Sequence, residues 1–146
     1  MHERTVRVLL AALAANALSL GAWATFAPRN FYDSFPGGGR AWVSVDGPYN
    51  QHLITDFGAL NLALGVLAIC AAYWLTRPLV IACGLAFITY AAPHVVYHLV
   101  NLDPYSWSDK LGVIGGLLIA PALAVAAIVL SLPWASAAKS GSRPAS

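Results

Sequence analysis

Two short stretches of this chain carry side chains that could bind a metal ion or move a proton. His52 and Asp56 are four residues apart, and so are His94 and His98, so each pair lies on one face of its segment if that segment is helical. Three of the four histidines in the chain fall in these two pairs. Both pairs lie near an end of a long apolar run, where ionisable groups are costly and are usually functional.

A metal ion is the first ligand that these residues predict. If the two segments pack as neighbouring helices, three imidazoles and one carboxylate fall within roughly 13 Å of one another along the bundle axis. Together His52, Asp56, His94 and His98 suit zinc, with copper as the second choice. Three histidines would leave one coordination position for water, which Asp56 would deprotonate as general base; alternatively, Asp56 is the fourth ligand.

Two metal-free interpretations of the same four residues stay open. In one, Asp56 orients a histidine within a group that shuttles protons or binds a polar ligand. In the other, the group has a structural role. A hydrogen bond between a histidine and the aspartate, together with hydrogen bonds between the helices, would hold two helices together. The spacing favours the metal over these two interpretations without excluding either.

The elements that would position these residues are membrane-spanning helices. The chain has 146 residues, 59% of them hydrophobic and 10% charged, whereas about a quarter of the residues in a soluble domain are charged. Four apolar runs reach the length at which a helix crosses a bilayer. We therefore predict an all-α fold, a four-helix transmembrane bundle with antiparallel up-down order, in residues 1–134. The predicted helices are 8–27, 52–75, 79–102 and 111–132, and a disordered polar tail follows at 135–146.

Basic residues in the short connecting segments predict how the bundle sits in the cell membrane. Five of them lie on one side and three on the other, a bias that predicts cytoplasmic termini. The five are Arg4, Arg7, Arg77, Lys139 and Arg143, and the three are Arg29, Arg40 and Lys110. The outer loop, 28–51, would then cover the end of the bundle that carries the histidines. It is either a lid hinged at glycines 37–39 or a segment anchored at the interface by its aromatic residues.

Other polar residues predict structural roles. Asn16 and Asn61 lie at similar depths in the first two helices and are expected to hydrogen-bond across them. Asn61 follows His52 by nine positions, about 180° around the helix, so it should face away from the histidine pairs. Ser106 and Asp109 have the spacing of a capping box at the start of the fourth helix.

Four short motifs carry a resemblance to known proteins. They are residues 31–36 (Phe-Tyr-Asp-Ser-Phe-Pro), residues 47–50 (Gly-Pro-Tyr-Asn), residues 56–61 (Asp-Phe-Gly-Ala-Leu-Asn), and Pro93 and His94 followed by His98. Together they resemble small four-helix integral membrane proteins of actinobacteria over most of the chain except the tail. The resemblance implies a membrane location and no particular activity. Several histidines with an aspartate at one membrane face are also similar to the site of ceramidase-like, zinc-dependent membrane hydrolases, which have seven helices.

The sequence thus predicts a small integral membrane protein with an outward-facing metal site. As an enzyme it would be a metallohydrolase acting on a lipidic substrate that enters beneath the outer loop. The alternatives are a non-catalytic metal-binding or metal-handling protein, and a metal-free accessory subunit or proton-relay protein of a membrane complex. The expected partners are the lipid bilayer, a lipidic small molecule, and a second copy or a larger membrane complex. The net charge of +2 is too small and too scattered for nucleic-acid binding.

Overall fold

The structure is a computed structural model that describes residues 2–133. Met1 and residues 134–146 lie outside the described residues. The predicted disordered tail, 135–146, therefore lies outside the described part of the chain. So does residue 134, the last residue of the predicted helical domain.

Four long helices dominate the described residues. They are α1 (His2–Phe26), α4 (Gln51–Trp74), α5 (Arg77–Val100) and α6 (Trp107–Ser131). Each has 24 or 25 residues and is long and apolar enough to cross a membrane. The prediction of an all-α fold with four membrane-length helices is confirmed. The observed α1 and α6 begin earlier than predicted, because the polar residues that precede their apolar runs continue the same helices.

The connection between α1 and α4 is a folded segment. It contains α2 (Pro28–Ser34), the strands β1 (Pro36–Gly37) and β2 (Arg40–Ala41), and α3 (Trp42–Asp46). The two strands pair antiparallel around a turn in which residues 37–39 all have positive φ, a conformation that glycine adopts without steric cost. We call the end of the bundle that carries this segment the loop end. The opposite end, where residues 75–76 join α4 to α5, is the hairpin end.

Small residues let α1 and α4 approach closely. A Cβ added at Gly21 would lie 2.7 Å from the backbone nitrogen of Leu62 and 2.9 Å from the carbonyl oxygen of Gly58. Towards the hairpin end, Gly65 lies against the side chain of Leu18. Since later positions of α1 meet earlier positions of α4, the two helices run in opposite directions. The α1–α4 contact is more extensive than any other helix pairing, whereas α4 and α5 contact each other much less.

The interior divides into an apolar half and an aromatic end. On the hairpin side, small and aliphatic residues from all four long helices are buried together, with Phe87 among them. Near the loop end, Phe31 and Ile54 are buried with Ala24 beneath further aromatic rings of the connecting segment. The segment is thus packed onto the bundle by apolar contacts. The predicted capping box of α6 is confirmed, because Ser106 accepts from the Asp109 backbone N–H and donates to the Asp109 carboxylate.

The Gly21 contact generates a stability prediction. Gly21→Ala should lower the free energy of unfolding by about 1–3 kcal/mol, because the added methyl meets backbone atoms of α4 that cannot rotate away. Gly115→Ala is the matched control, since nothing lies within 4 Å of a Cβ at that position. The control should leave stability unchanged or raise it by up to about 1 kcal/mol. Unfolding of the detergent-solubilised protein, followed by circular dichroism, measures both; equal stabilities would contradict the close α1–α4 packing.

Candidate functional site

His52 and Asp56 lie in the first two turns of α4 and face outward. Their side chains are 88% and 62% exposed, and His52 Nε2 lies 3.4 Å from an Asp56 carboxylate oxygen. The two residues pair as their four-residue spacing predicts. The structure does not bring this pair together with the two histidines of α5.

The packing of α1 on α4 explains this separation. Gly58, Asn61 and Gly65 form the inward face of α4, and Asn61 is only 4% exposed. His52 precedes Asn61 by nine residues, which places it on the opposite side of the helix. Asn61 and His52 do lie on opposite sides of α4, as predicted. However, the side that faces the interior is the one with Asn61, whereas His52 faces outward.

His94 and His98 lie together on the inner side of α5, one turn apart. Their ring centroids are 4.9 Å apart, and His94 also stacks on Phe57 of α4 at 6.3 Å. His98 is only 8% exposed, and its Nδ1 is buried without a hydrogen-bond partner in the described part of the chain. A buried imidazole nitrogen without a partner costs free energy, so this atom marks a site of interest.

Asp46 completes this group, and sequence reasoning missed it. Its carboxylate oxygen lies 3.8 Å from His98 Nε2, and its side chain is 23% exposed. Asp46 is the last residue of α3, more than fifty positions from His98 in sequence. No local pattern links the two residues, because only the folding of the connecting segment over the bundle brings them together. We call Asp46, His94 and His98 the histidine cluster.

Two tyrosines of the loop end flank His98. The rings of Tyr97 and Tyr105 meet the imidazole edge-on, at centroid distances of 5.3 and 6.1 Å. The Tyr105 hydroxyl donates to the carbonyl oxygen of Trp42 at 3.1 Å. Burial, followed by the neighbouring Asp46 carboxylate, raises the pKa of Tyr105. Tyr105 therefore stays protonated and acts as a hydrogen-bond donor throughout the neutral range.

A clamp on α6 fixes the position of α3 and thereby of Asp46. The Asp109 carboxylate accepts from Arg40 at 2.6 Å and from the indole N–H of Trp42 at 2.8 Å. The Trp42 ring lies against Gly112, where a Cβ would come within 2.7 Å of the ring. Trp42 begins α3, so this contact anchors the helix that ends in Asp46.

His94 also borders a small cavity between the long helices. The cavity measures about 80 Å³, and its polar lining comes from three helices. The Asn61 amide donates to the Tyr90 hydroxyl at 2.7 Å and to the Phe57 carbonyl oxygen at 2.9 Å. Asn16 of α1 lines the cavity with Asn61, as their similar depths suggest. The predicted hydrogen bond between the two asparagines is wrong for the described residues, because the Asn61 amide donates to Tyr90 and Phe57. The polar lining residues are Asn16, Asn61, Tyr90 and His94.

The positions of these side chains can be compared with the predicted metal site. Within residues 2–133, no group of three or more histidine, cysteine, aspartate or glutamate side chains has the geometry to hold a metal ion. His52 with Asp56 and His94 with His98 form two separate pairs. The four-residue zinc or copper site, and the role of Asp56 as general base or fourth ligand, stay predictions.

Comparisons of this chain with protein-family models, with curated proteins and with solved structures find no match. Its function must therefore be argued from the chemistry of its own side chains.

Metal content is a direct test of the predicted site. Elemental mass spectrometry of the detergent-purified protein should be run on the unchanged chain, on His98→Ala and on His52→Ala. Since His52 is exposed on the far side of α4, we expect any bound zinc or copper to be lost in His98→Ala and kept in His52→Ala. Loss of an equivalent of metal in both variants would instead support the four-ligand site. Metal-free protein that cannot be reconstituted would remove metal chemistry altogether.

Proposed function

We propose that this chain is an integral membrane protein that binds and releases a proton at the histidine cluster, as a proton-responsive component of a membrane complex. The observation that carries the proposal is the buried His98 imidazole, with a carboxylate 3.8 Å from Nε2 and a second imidazole one turn away. Histidine is the side chain whose charge changes most readily near neutral pH.

Charge and burial together explain why the cluster would exchange a proton. Neutral His98 lies beside a negative Asp46, and protonation turns this contact into an ion pair in a region of low dielectric constant. A second proton on His94 is opposed by the first, since the two rings are 4.9 Å apart. A charge on either imidazole would therefore be felt by the other, so the two rings would act as one coupled group. The other titratable groups that face it are Tyr97 and Tyr105.

The size of the neighbouring cavity favours a proton or water over a lipidic substrate. At about 80 Å³, the cavity has room for a few water molecules. Sites for drug-sized ligands measure roughly 300–1,000 Å³. The metallohydrolase interpretation needs space for a lipid headgroup beside the cluster, and the cavity at His94 does not supply it.

The cavity also suggests that proton exchange occurs from the loop end alone. On the hairpin side, the buried core is mostly aliphatic with Phe87, and its buried polar side chains, Cys83 and Ser131, are small, with the Ser131 hydroxyl donating to the Ile128 carbonyl oxygen. Among the described residues, the polar side chains around the cavity run from Asp46 through the two histidines to Tyr90 and Asn61. This pattern suits a sensor or an accessory subunit better than a relay across the whole membrane.

A metal ion is the second candidate ligand. Two imidazoles one helical turn apart are a recurrent pair of ligands for zinc and copper, and His98 Nδ1 is free of hydrogen bonds in residues 2–133. Under this alternative, the protein is a non-catalytic metal-binding or metal-handling protein that uses His94 and His98.

We also propose that the bundle is antiparallel up-down, with cytoplasmic termini and with the loop end outside the cell membrane. The support is the bias of basic residues, of which Arg4, Arg7 and Arg77 lie at the hairpin end. Gly38→Cys tests the orientation, because residue 38 lies in an exposed turn of the connecting segment. A membrane-impermeant maleimide should label this cysteine in intact cells and should leave a Thr76→Cys variant unlabelled. The reverse pattern would invert the orientation.

Protonation of the cluster can be followed by NMR of protein labelled with ¹⁵N-histidine in detergent. We expect the signals of His94 and His98 to respond together to pH, and Asp46→Asn to change the response of both. The reason is that this substitution removes the negative charge that stabilises an imidazolium.

Asp56→Asn is the matched control for the titration. It removes a carboxylate 3.4 Å from the exposed His52, so it should affect the His52 signal alone. Substitution of each histidine by glutamine assigns the signals. Independent titration of His94 and His98, unchanged by Asp46→Asn in a protein of normal stability, would overturn the proposal.

A further inference from the structure

Arg77, the first residue of α5, is a cation without an anionic partner among residues 2–133. Its Nε is buried and has no hydrogen-bond partner in the described residues, and the side chain forms no ion pair with them. Three other arginines do have partners in the protein. Arg7 donates to carbonyl oxygens at the end of α4, Arg29 pairs with Asp33, and Arg40 pairs with Asp109. A guanidinium that is partly withdrawn from water gains most from an oxyanion that can accept from several of its N–H groups.

An apolar groove begins at Arg77 and follows one face of α5. It is shallow and open, with all of its lining on α5. Its lining consists of Arg77, Pro78, Ile81, Ala82 and Leu85, which recur at the spacing of a single helical face. From Arg77 to Leu85 the groove extends about 12 Å along the helix axis. A positive group therefore lies at the end of a hydrocarbon-lined path that faces the bilayer.

The distribution of charge specifies the sign of the headgroup that the groove would accept. Arg4, Arg7 and Arg77 lie at the hairpin end, with Glu3 as the one acidic residue there. The other five acidic residues of the chain lie in the loop-end half, from Asp33 to Asp109. The hairpin end thus attracts anions, and the loop end carries nearly all of the negative charge.

We propose that this groove is a binding site for an anionic phospholipid, with the lipid phosphate on the Arg77 guanidinium and one acyl chain along Ile81, Ala82 and Leu85. The phosphate supplies oxygen acceptors for the terminal N–H groups of Arg77, which has no ion pair within the described residues. The acyl chain covers the apolar lining. Basic side chains beside apolar helix faces bind anionic lipids for these two reasons together.

Native mass spectrometry of the protein with bound lipids tests this site. The protein is presented with equimolar phosphatidylglycerol and phosphatidylcholine in a mild detergent. We expect one molecule of phosphatidylglycerol to be retained preferentially, and Arg77→Gln to reduce its affinity roughly tenfold. Ile81→Trp, which fills the groove and keeps the charge, should reduce binding as well. Soluble glycerol phosphate should not displace the lipid, because it lacks the chain that occupies the groove.

Arg4→Gln is the matched control, since Arg4 is an exposed basic residue at the same end of the bundle. It should retain phosphatidylglycerol as the unchanged chain does. If Arg4→Gln and Arg77→Gln reduce phosphatidylglycerol binding equally, the lipid is held by general surface charge, and the proposed site is wrong. Undiminished binding in Arg77→Gln, or equal retention of the two lipids by the unchanged chain, would overturn it too. Helix content and thermal stability of each variant confirm that the comparison is made on folded protein.

Discussion

The close contact between α1 and α4 is the constraint on which the rest of the bundle depends. Gly21 and Gly58 bring the two backbones so near that neither position accepts a side chain. This contact sets the rotation of α4 about its axis, turning Asn61 towards the cavity and His52 with Asp56 towards the outside. In a bilayer, where apolar surfaces gain little from leaving lipid, van der Waals contact between small residues is a main source of such specificity.

The sequence predicted the elements of the fold well and the composition of the site only in part. Apolar length identified the four long helices, because hydrocarbon admits no other open backbone structure. The pair His94 and His98 followed from helical spacing. Joining this pair to His52 and Asp56 required α4 and α5 to pack as neighbours with these faces towards each other. The structure instead pairs α4 with α1, because the glycines of α4 match the packing surface of α1. Spacing within one helix shows which residues share a face, but not which neighbour that face contacts.

Asp46 was beyond the reach of sequence patterns for a different reason. It lies near His98 only because α3 is held on α6 by Asp109, which accepts from Arg40 and from Trp42. These contacts join residues more than sixty positions apart and have no periodic signature. The outer segment was expected to be either a lid or an interfacial anchor. Its packed aromatic residues and its clamp show how it can position a carboxylate over the bundle.

The two ends of the bundle differ in chemistry, and this difference connects the two proposals. At the loop end, acidic residues, aromatic rings and two imidazoles surround a polar interior that stops at the cavity. On the hairpin side, the buried core is mostly apolar, and half-buried Arg77 has no ion pair within residues 2–133. An anionic lipid at Arg77 would hold α5 at one end, while protonation of His94 and His98 would change the charge on the same helix at the other. The two proposed features thus lie at opposite ends of the same helix, α5.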